Sequence, residues 1–431
     1  MNRRTFVGHL AAAAAAPFVR VAPDVKPLRA DGARVNGWLA QFDAIGRTAG
    51  GINRVAYSEA DLAGRQFTLG LFRQAGLDPR IDAAGNIVGR LDGREPALPP
   101  ILIGSHVDSV TDGGNFDGPV GSFGAIEVAR SLREQGVRLR HPLEVVVWQN
   151  EEGGTVGSKL AIGALGDADL DRVARSGKTI REGIGLVGGD ASRLAEAVRA
   201  RGSVHCYLEL HIEQGGLLER AGLNIGTVTG IVGLRWLDVA IDGMANHAGT
   251  TPMDQRHDAV LAAARFTVAV NDTVRAEPGK QVATVGRLVA SPNTRNVIPG
   301  RVDLTVDLRD LDPATLDRLE AAFRRVAADI GRATGTTFTL TRPFDSAPAM
   351  ADGRVMEVVD DCAASLGFSG QRMRSGAGHD AQEIAQIAPM GMIFVPSVGG
   401  ISHSPREFTA AADVGHGADV LLNAVMRADR L

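Results

Sequence analysis

Four short apolar runs in this sequence are each soon followed by a histidine or a glutamate. The first run is residues 101–103, and the last is residues 392–395. Short apolar runs rich in Val, Ile and Leu are typical of buried strands in a mostly parallel sheet. In open α/β sheets the carboxyl ends of such strands meet at one edge, where ligands bind. The residues expected at that edge are His106, Glu152, His211 and His403.

The order of the predicted elements indicates two domains. Residues 120–134 are predicted to form a helix after the first apolar run, as in strand-loop-helix units. From about residue 230 onward, apolar and polar residues alternate instead, as in strands with one solvated face. A β-α-β-β-α-β order there predicts an inserted ferredoxin-like α+β domain. We therefore predict an α/β fold with a mostly parallel sheet, in the order 31–229 (catalytic domain, first part), 230–342 (inserted lid and dimerisation domain) and 343–431 (catalytic domain, second part).

Residues 1–30 resemble an export signal and linker rather than part of the fold. Arg3 and Arg4 precede an apolar run that ends near Ala16, which is the pattern of a twin-arginine signal. The run is too short to span a bilayer permanently. The alternative is a buried N-terminal helix. The signal predicts a periplasmic or secreted protein, a partner in the twin-arginine export machinery and no stable membrane association.

Composition and charge exclude some classes of function. The chain is 44% hydrophobic and 22% charged, with a net charge of -4, so a solid core is possible and no nucleic-acid partner is indicated. The two cysteines, Cys206 and Cys362, lie far apart in apolar contexts. They are predicted to be buried free thiols rather than a disulfide.

His106 and Asp117 carry the side chains that most suggest a metal site. An imidazole and a carboxylate are both ligands of zinc and related metals, and the glycines around Asp117 allow a sharp turn towards an ion. A polar loop after a strand is the alternative for these two residues alone. The histidine and glutamate residues that follow the other runs favour the metal site.

Glu151 and Glu152 are adjacent carboxylates at the end of a predicted buried strand. Such a pair is costly unless a cation or a proton lies nearby. One glutamate can bind a metal while its neighbour takes a proton from water. A surface Glu-Glu pair, which is common, is the alternative.

Eight sequence blocks, spread over nearly the whole chain after the signal, resemble one enzyme family. It is the hydantoinase/carbamoylase branch of the zinc aminoacylase and carboxypeptidase G metallopeptidases. This branch includes N-carbamoyl-L-amino acid hydrolases, allantoate amidohydrolases and β-ureidopropionases, which are homodimers with a dimetal site. The blocks are Gly104-Ser105-His106-Val107-Asp108, Gly114-Asn115-Phe116-Asp117-Gly118, Glu151-Glu152-Gly153, His211-Ile212-Glu213-Gln214-Gly215, Asn246-His247-Ala248-Gly249-Thr250-Thr251-Pro252-Met253, Asn296-Val297-Ile298-Pro299-Gly300, Ser375-Gly376-Ala377-Gly378-His379-Asp380-Ala381 and Ser402-His403-Ser404-Pro405.

The resemblance implies roles for the residues of the metal site. Two divalent ions are expected per subunit, with Asp117 bridging them, Glu151 as the general base and Asp108 orienting His106. Zinc is favoured, although manganese, cobalt and nickel suit the same ligands. The implied metal ligands are His106, Asp117, Glu152, His211 and His403.

The resemblance also implies a set of substrate contacts. His247 is expected to cross the dimer and stabilise the oxyanion of the partner's site. Asn296 and Arg309 are expected to bind the carboxylate of a small substrate, and Gln214 and His379 its ureido or amide end. The alternative for Arg309 is an ion pair with Asp307 on the solvated face of its strand.

One loop departs from the family pattern. Many relatives follow the two glutamates with Gly-x-Arg-Phe, whereas this chain has Gly153-Gly154-Thr155-Val156. The missing arginine and aromatic residue affect the expected side-chain preference of the pocket rather than its hydrolytic chemistry. Three alternatives to a carbamoylase stay open: an allantoate-type amidohydrolase, an aminoacylase or dipeptidase of the wider family, and a non-catalytic binder. The last is disfavoured because Glu151 and all the candidate ligands are present.

Overall fold

The computed structural model describes residues 27–431, which form two large β-sheets and a short two-stranded ribbon. The predicted twin-arginine motif lies outside the described residues. The strands are β1 (Pro79–Ile81), β2 (Ile87–Leu91), β3 (Ile101–His106), β4 (Leu143–Trp148), β5 (Cys206–Ile212), β6 (Ile225–Ile231), β7 (Gly233–Asp242), β8 (Asn246–His247), β9 (Val282–Ser291), β10 (Val297–Ile298), β11 (Arg301–Asp310), β12 (Thr337–Ser346), β13 (Ala349–Met350), β14 (Gly370–Ser375) and β15 (Met390–Val395).

The longer helices begin where the sequence offers a capping side chain. Ser58, Asp258 and Asp312 each accept a main-chain N–H of the helix that follows, which satisfies donors that the helix itself leaves free. The helices are α1 (Gly32–Phe42), α2 (Glu59–Gln74), α3 (Pro119–Glu134), α4 (Val156–Ala161), α5 (Ile180–Leu186), α6 (Leu217–Ala221), α7 (Ala259–Ala276), α8 (Pro313–Thr334), α9 (Gly353–Ser365), α10 (Asp380–Ile384) and α11 (Ala411–Ala428).

The central sheet has the strand order β1-β2-β4-β3-β5-β15-β6-β13, and β14 also pairs with β6. Its four middle strands, β4, β3, β5 and β15, are mutually parallel, while the edges are mixed. The middle strands are buried along their whole length because helices and loops cover both faces. The predicted mixed α/β fold with a mostly parallel central sheet is confirmed.

The second sheet is antiparallel, in the order β12-β7-β11-β9, and α7 and α8 pack on one face of it. Leu237 and Leu304 point into that core, whereas Trp236 on the other face is 46% exposed. The boundary expected at 230 falls within β6 of the central sheet. The boundary expected at 342 falls within β12, which continues to Ser346 because it pairs with β7 again beyond a register shift.

Both cysteines are buried and free, as predicted. Within residues 27–431, no helix is both long enough and apolar enough to cross a membrane.

Candidate metal centre and active site

Two buried histidines stand side by side at the carboxyl ends of adjacent parallel strands. His106 is the last residue of β3, and His211 lies near the end of β5. Each is 1% exposed, and their ring centroids are 5.8 Å apart. Parallel pairing of two apolar runs therefore brings together residues that are far apart in the sequence.

Asp117 reaches these histidines from the loop between β3 and α3. Gly118 follows it with a φ of 80°, and a Cβ at Gly118 would lie 2.5 Å from the His106 ring. Only glycine lets the loop pass so close. Oδ1 of Asp117 is 3.7 Å from Nε2 of His106 and 3.2 Å from Nε2 of His211.

The hydrogen bonds of the two rings indicate what fills the space between them. Nδ1 of His106 lies 3.1 Å from the Asp108 carbonyl, and Nδ1 of His211 lies 3.0 Å from the Ile212 carbonyl. A carbonyl only accepts, so each Nδ1 carries a proton, and each ring turns its Nε2 towards Asp117. Nε2 of His211 makes no hydrogen bond to the described residues although it is buried. Ring nitrogens facing a carboxylate require a proton or a cation between them, and this arrangement is typical of metal-binding histidines.

A second group of ligand atoms shares Asp117 with the first. Oδ2 of Asp117 is 3.2 Å from Nε2 of His403, which in turn is 3.4 Å from Oε1 of Glu152. Ligand atoms of His106, Asp117 and His211 lie within 4.8 Å of one another, and so do those of Asp117, Glu152 and His403. Imidazole and carboxylate ligands suit zinc and its neighbours. The residues therefore fit two divalent ions that share the Asp117 carboxylate.

A third group of this kind, Glu209, His211 and His379, is less suited to an ion. The carboxylate of Glu209 already accepts hydrogen bonds from the Ser105 hydroxyl at 2.8 Å and from the Ala381 N–H at 3.1 Å. Glu209 therefore links β5 to β3 and to α10.

Glu151 stands beside the first group without belonging to either. Its Oε2 is 3.7 Å from Nε2 of His106. Burial raises the pKa of Glu151 well above its ordinary value; His106 opposes this, and Asp380 and Glu152 add to it. A carboxylate with a raised pKa close to a ligand site is suited to accept and return a proton.

Charge around the ligands favours cations. Burial alone would lower the pKa of His106, but Glu151, Asp117 and Asp108 raise it well above its ordinary value. Burial raises the pKa of Glu152 to about 7, and the nearby Asp117 carboxylate adds to this rise. The negative charge that holds protons here also attracts divalent ions.

Asp108 contacts both His106 and the two adjacent glutamates. Its main-chain carbonyl, rather than its carboxylate, accepts the hydrogen bond from His106, and its Oδ1 is 3.6 Å from the same ring nitrogen. The carboxylate instead accepts the main-chain N–H groups of Glu151 and Glu152, each at 3.2 Å. Asp108 thus links the His106 strand end to the two glutamates.

Gln214 and His379 lie next to the metal ligands. Nε2 of Gln214 donates to Oδ2 of Asp117 at 2.7 Å. The ring of His379 packs edge-on against His211 with a centroid distance of 4.5 Å, and its Nε2 is 2.9 Å from the Ser375 hydroxyl. Burial lowers the pKa of His379 well below its ordinary value, and the neighbouring His211 adds to this. His379 is therefore a neutral group in the wall of the site.

His247 lies on the two-stranded ribbon of β8 and β10, Asn296 directly precedes β10, and both are exposed. Nδ1 of His247 accepts the main-chain N–H groups of Gly249 at 3.0 Å and Thr250 at 3.2 Å. The neutral ring therefore carries its proton on Nε2, as a donor. Among the described residues, neither side chain makes a hydrogen bond or an ion pair with the metal ligands.

Arg309 forms an ion pair with Asp307, which the sequence analysis gave as the alternative to substrate binding. Its Nε and Nη2 donate to the Asp307 carboxylate at 2.8 and 2.9 Å. Its Nη1 donates to the carbonyl of Gly376 at 2.7 Å, which links β11 to the loop that precedes His379. Within residues 27–431, Arg309 also makes no hydrogen bond or ion pair with the metal ligands.

Glu407 is a site residue that sequence reasoning missed. Its carboxylate accepts hydrogen bonds from Phe116, Asp117, Ser402 and His403, so it contacts both ligand-bearing loops. In the sequence, Glu407 is only an acidic residue shortly after His403. That position does not distinguish a buried site residue from an exposed loop residue.

Comparison with known proteins agrees with this geometry. The family model described as peptidase family M20/M25/M40 matches residues 102–427. The chain belongs to this family. It is 39% identical to N-carbamoyl-L-amino acid amidohydrolase of Geobacillus stearothermophilus over 90% of this chain and 96% of that protein. It is 33% identical to allantoate amidohydrolase of Bacillus subtilis over 89% and 94%.

A solved M20 structure also matches over most of its length. It is the crystal structure of an amidase of the hydantoinase/carbamoylase family from Burkholderia multivorans, which is 38% identical with a TM-score of 0.85 over 93% of this chain and 98% of that chain. The resemblance to the hydantoinase/carbamoylase branch is confirmed. The M20 family depends on two metal ions, and this chain has two ligand groups of the required kind.

Proposed function

We propose that this chain is a metal-dependent amidohydrolase that cleaves the carbamoyl C–N bond of an N-carbamoyl-L-amino acid or a related ureido acid. The products are ammonia, carbon dioxide and the amino acid. One observation carries the hydrolytic chemistry: Glu151 stands 3.7 Å from His106 but outside the two ligand groups that share Asp117. The similarity to amidohydrolases supports the carbamoyl C–N bond as the bond that is cleaved.

The residues divide the reaction between them. Two divalent ions, when bound, supply Lewis-acid polarisation of the scissile carbonyl and a water of lowered pKa. Zinc is our first choice, with manganese, cobalt and nickel as alternatives. Glu151 accepts the proton of the attacking water and returns it to the leaving nitrogen. Asp108 fixes the main chain of both glutamates, so the proton acceptor keeps its distance from the ligands.

We propose that the substrate is bound by residues of two chains in a homodimer. His247 presents its Nε2–H on an exposed ribbon, as expected of a donor to the partner's oxyanion. Asn296 and Arg309 bind the substrate carboxylate, and Gln214 and His379 contact its ureido end. Arg309 can do so because only part of its donor set is taken by Asp307 and Gly376.

Mixed dimers test this shared site. His247→Ala and Arg309→Ala chains are each expected to be nearly inactive with their metals bound, because loss of one oxyanion donor costs about 10² to 10³ in kcat. After subunit exchange, half of the dimers should be mixed and half of their sites complete, so about a quarter of the wild-type activity should return. No recovery despite verified exchange would contradict the shared site, and so would a fully active monomer.

We also propose export through the twin-arginine route. Arg3 and Arg4 precede the apolar run, and this route carries folded, metal-loaded cargo. Replacing both arginines by lysine should leave active enzyme in the cytoplasm, as measured by fractionation and activity. Unchanged periplasmic activity would show that the pair is not the export signal.

A substrate panel on metal-loaded protein tests the proposed activity. Ammonia release from N-carbamoyl-L-amino acids is compared with ammonia release from allantoate and with amine release from N-acyl amino acids and dipeptides. We expect the highest kcat/KM on an N-carbamoyl-L-amino acid. Higher kcat/KM on allantoate would favour the allantoate amidohydrolase, and on acyl amino acids or dipeptides the aminoacylase or dipeptidase. No turnover of any of them by protein with two bound metals would contradict the proposal.

A further inference from the structure

Glu407 joins the two loops that carry Asp117 and His403. Its Oε1 accepts the main-chain N–H groups of Phe116 at 2.9 Å and Asp117 at 3.0 Å. Its Oε2 accepts the Ser402 hydroxyl at 2.7 Å and the His403 N–H at 3.3 Å. The side chain is 5% exposed, so these four donors replace the water that its carboxylate has lost.

The loops that Glu407 joins lack the support that the sheet gives to the other ligands. His106 and His211 lie within β3 and β5, where strand pairing fixes the main chain. His403 lies in a loop beyond β15 with a φ of 51°, and its side chain is 50% exposed. A non-glycine residue at such a φ persists only where its surroundings hold it there.

Close packing also connects Glu407 to the Asp117 loop. A Cβ at Gly114 would lie 2.3 Å from Oε1 of Glu407, so the Asp117 loop approaches this carboxylate as closely as a main chain can. The Ser402 hydroxyl lies between Glu407 and Oδ2 of Asp117, at 2.7 and 3.0 Å. Glu407 is therefore connected to the bridging ligand both through its main chain and through Ser402.

We propose that Glu407 is a positioning residue that sets the affinity of the second ion group, formed by Asp117, Glu152 and His403. This inference rests on the proposed dimetal function. The first group, His106, Asp117 and His211, depends less on Glu407 because two of its ligands are held by strands. The Asp117 carboxylate, which both groups share, is also held by Gln214, whose Nε2 donates to Oδ2 at 2.7 Å.

A carboxylate suits this position because three of its four partners are main-chain N–H groups, which can only donate, and the fourth is the Ser402 hydroxyl. Each oxygen of Glu407 accepts two hydrogen bonds. In Glu407→Gln, one oxygen becomes an NH₂ group that faces at least one main-chain N–H group, so at least one of the two loops loses a hydrogen bond. Loss of a group that orients metal ligands typically weakens metal affinity by about 10- to 100-fold.

The proposal is tested by titrating metal-free protein with Co²⁺ and monitoring the binding by calorimetry and by visible absorption. Wild type should bind two ions. Glu407→Gln should bind the first with unchanged affinity and the second about 10- to 100-fold more weakly, and excess Co²⁺ should restore its turnover. Ser402→Ala, a milder change, should weaken the second ion less.

Glu127→Gln is the matched control. Glu127 is fully buried in α3 and accepts hydrogen bonds from the Ser131 hydroxyl at 2.7 Å and the Asp31 N–H at 3.1 Å, but it contacts neither ligand loop. This variant should be less stable and still bind both ions like wild type. Two results would overturn the role of Glu407 but not the dimetal function. One is equally weakened binding of the second ion in Glu127→Gln, and the other is wild-type affinity for both ions in Glu407→Gln and Ser402→Ala. A wild-type protein that binds fewer than two ions would overturn the dimetal function as well.

Discussion

The two ends of the central sheet each contain a pair of neighbouring histidines, but only one end is suited to metal. At the amino end, His141 precedes β4 and His205 precedes β5, and their rings stack at 4.0 Å. Nδ1 of His141 is 2.8 Å from the Pro99 carbonyl, and Nε2 of His205 is 3.0 Å from the Ala428 carbonyl. These histidines hold the main chain together.

The position of the nearest carboxylate explains the difference. At the amino end, the Asp429 carboxylate accepts the main-chain N–H groups of Arg140 and His141, both at 2.7 Å. At the carboxyl end, Asp117 instead faces the Nε2 atoms of His106 and His211. Paired histidines near a carboxylate therefore do not identify a metal site. Ring nitrogens of two histidines directed at one carboxylate fit such a site, because that arrangement requires a proton or a cation between them.

The largest expected effect is on kcat, and it distinguishes the carboxyl end of the central sheet from the amino end. Glu151→Gln should keep both metals and lose about 10²- to 10⁴-fold in kcat, because an amide cannot accept the proton of the attacking water. Asp429→Asn, a matched change at the amino end, should leave kcat close to wild type. Metal content and kcat are measured together on both variants. Near-normal kcat in Glu151→Gln would remove it from the mechanism.

The next largest effect is on the stability gained from metal binding, which should depend on the carboxyl end of the sheet but not on the amino end. Ions that bind only the folded chain stabilise it by about 2.7 kcal/mol at a free concentration about 100-fold above Kd. His211→Asn should lose much of this Zn²⁺-dependent rise in Tm, whereas His141→Asn should retain it in full. Thermal unfolding with Zn²⁺ and with a chelator gives both values. Equal Zn²⁺ responses in the two variants would contradict the assignment of the ligand end.

Sequence patterns predicted the strands and the residues that leave them. Apolar runs locate β3 and β5, and parallel pairing then places His106 and His211 at one edge of the sheet. The roles of Asp108 and Glu407 were not predictable in the same way. Both act through hydrogen bonds to the main chain of other loops, and these depend on the tertiary path of the chain rather than on any local period.

The partners of Arg309 show the same limit. The alternation in β11 predicted a strand with a polar face, on which Arg309 and Asp307 lie two residues apart. The contact with Gly376 depends on how the second sheet meets the loop before His379, which no pattern within β11 contains. Close pairing within a strand is therefore easier to predict than a contact between sheets.

A smaller effect tests the structural role of the amino end. His141→Phe keeps an aromatic ring against His205 but loses the hydrogen bond to the Pro99 carbonyl. The free energy of unfolding should fall by about 1 kcal/mol, the usual net contribution of one hydrogen bond, while kcat stays unchanged. Denaturant unfolding and steady-state kinetics measure the two quantities. A matching loss of kcat would indicate that the two ends are coupled.

The smallest effect is a pH dependence confined to the amino end. Burial lowers the pKa of His205 below its ordinary value; the Ala428 carbonyl and Asp429 oppose this, while His141 and Arg140 add to it. The unfolded chain therefore binds a proton at His205 before the folded chain does as the pH falls. Stability from this group is complete above the ordinary histidine pKa and is lost below it. Between about pH 7.5 and about pH 5.5, wild type should lose more stability than His205→Phe, which keeps the stack but cannot titrate. The difference between the two proteins cancels the titration of the metal ligands, which both share. Parallel loss in the two would show that His205 does not contribute to the acid sensitivity of the fold.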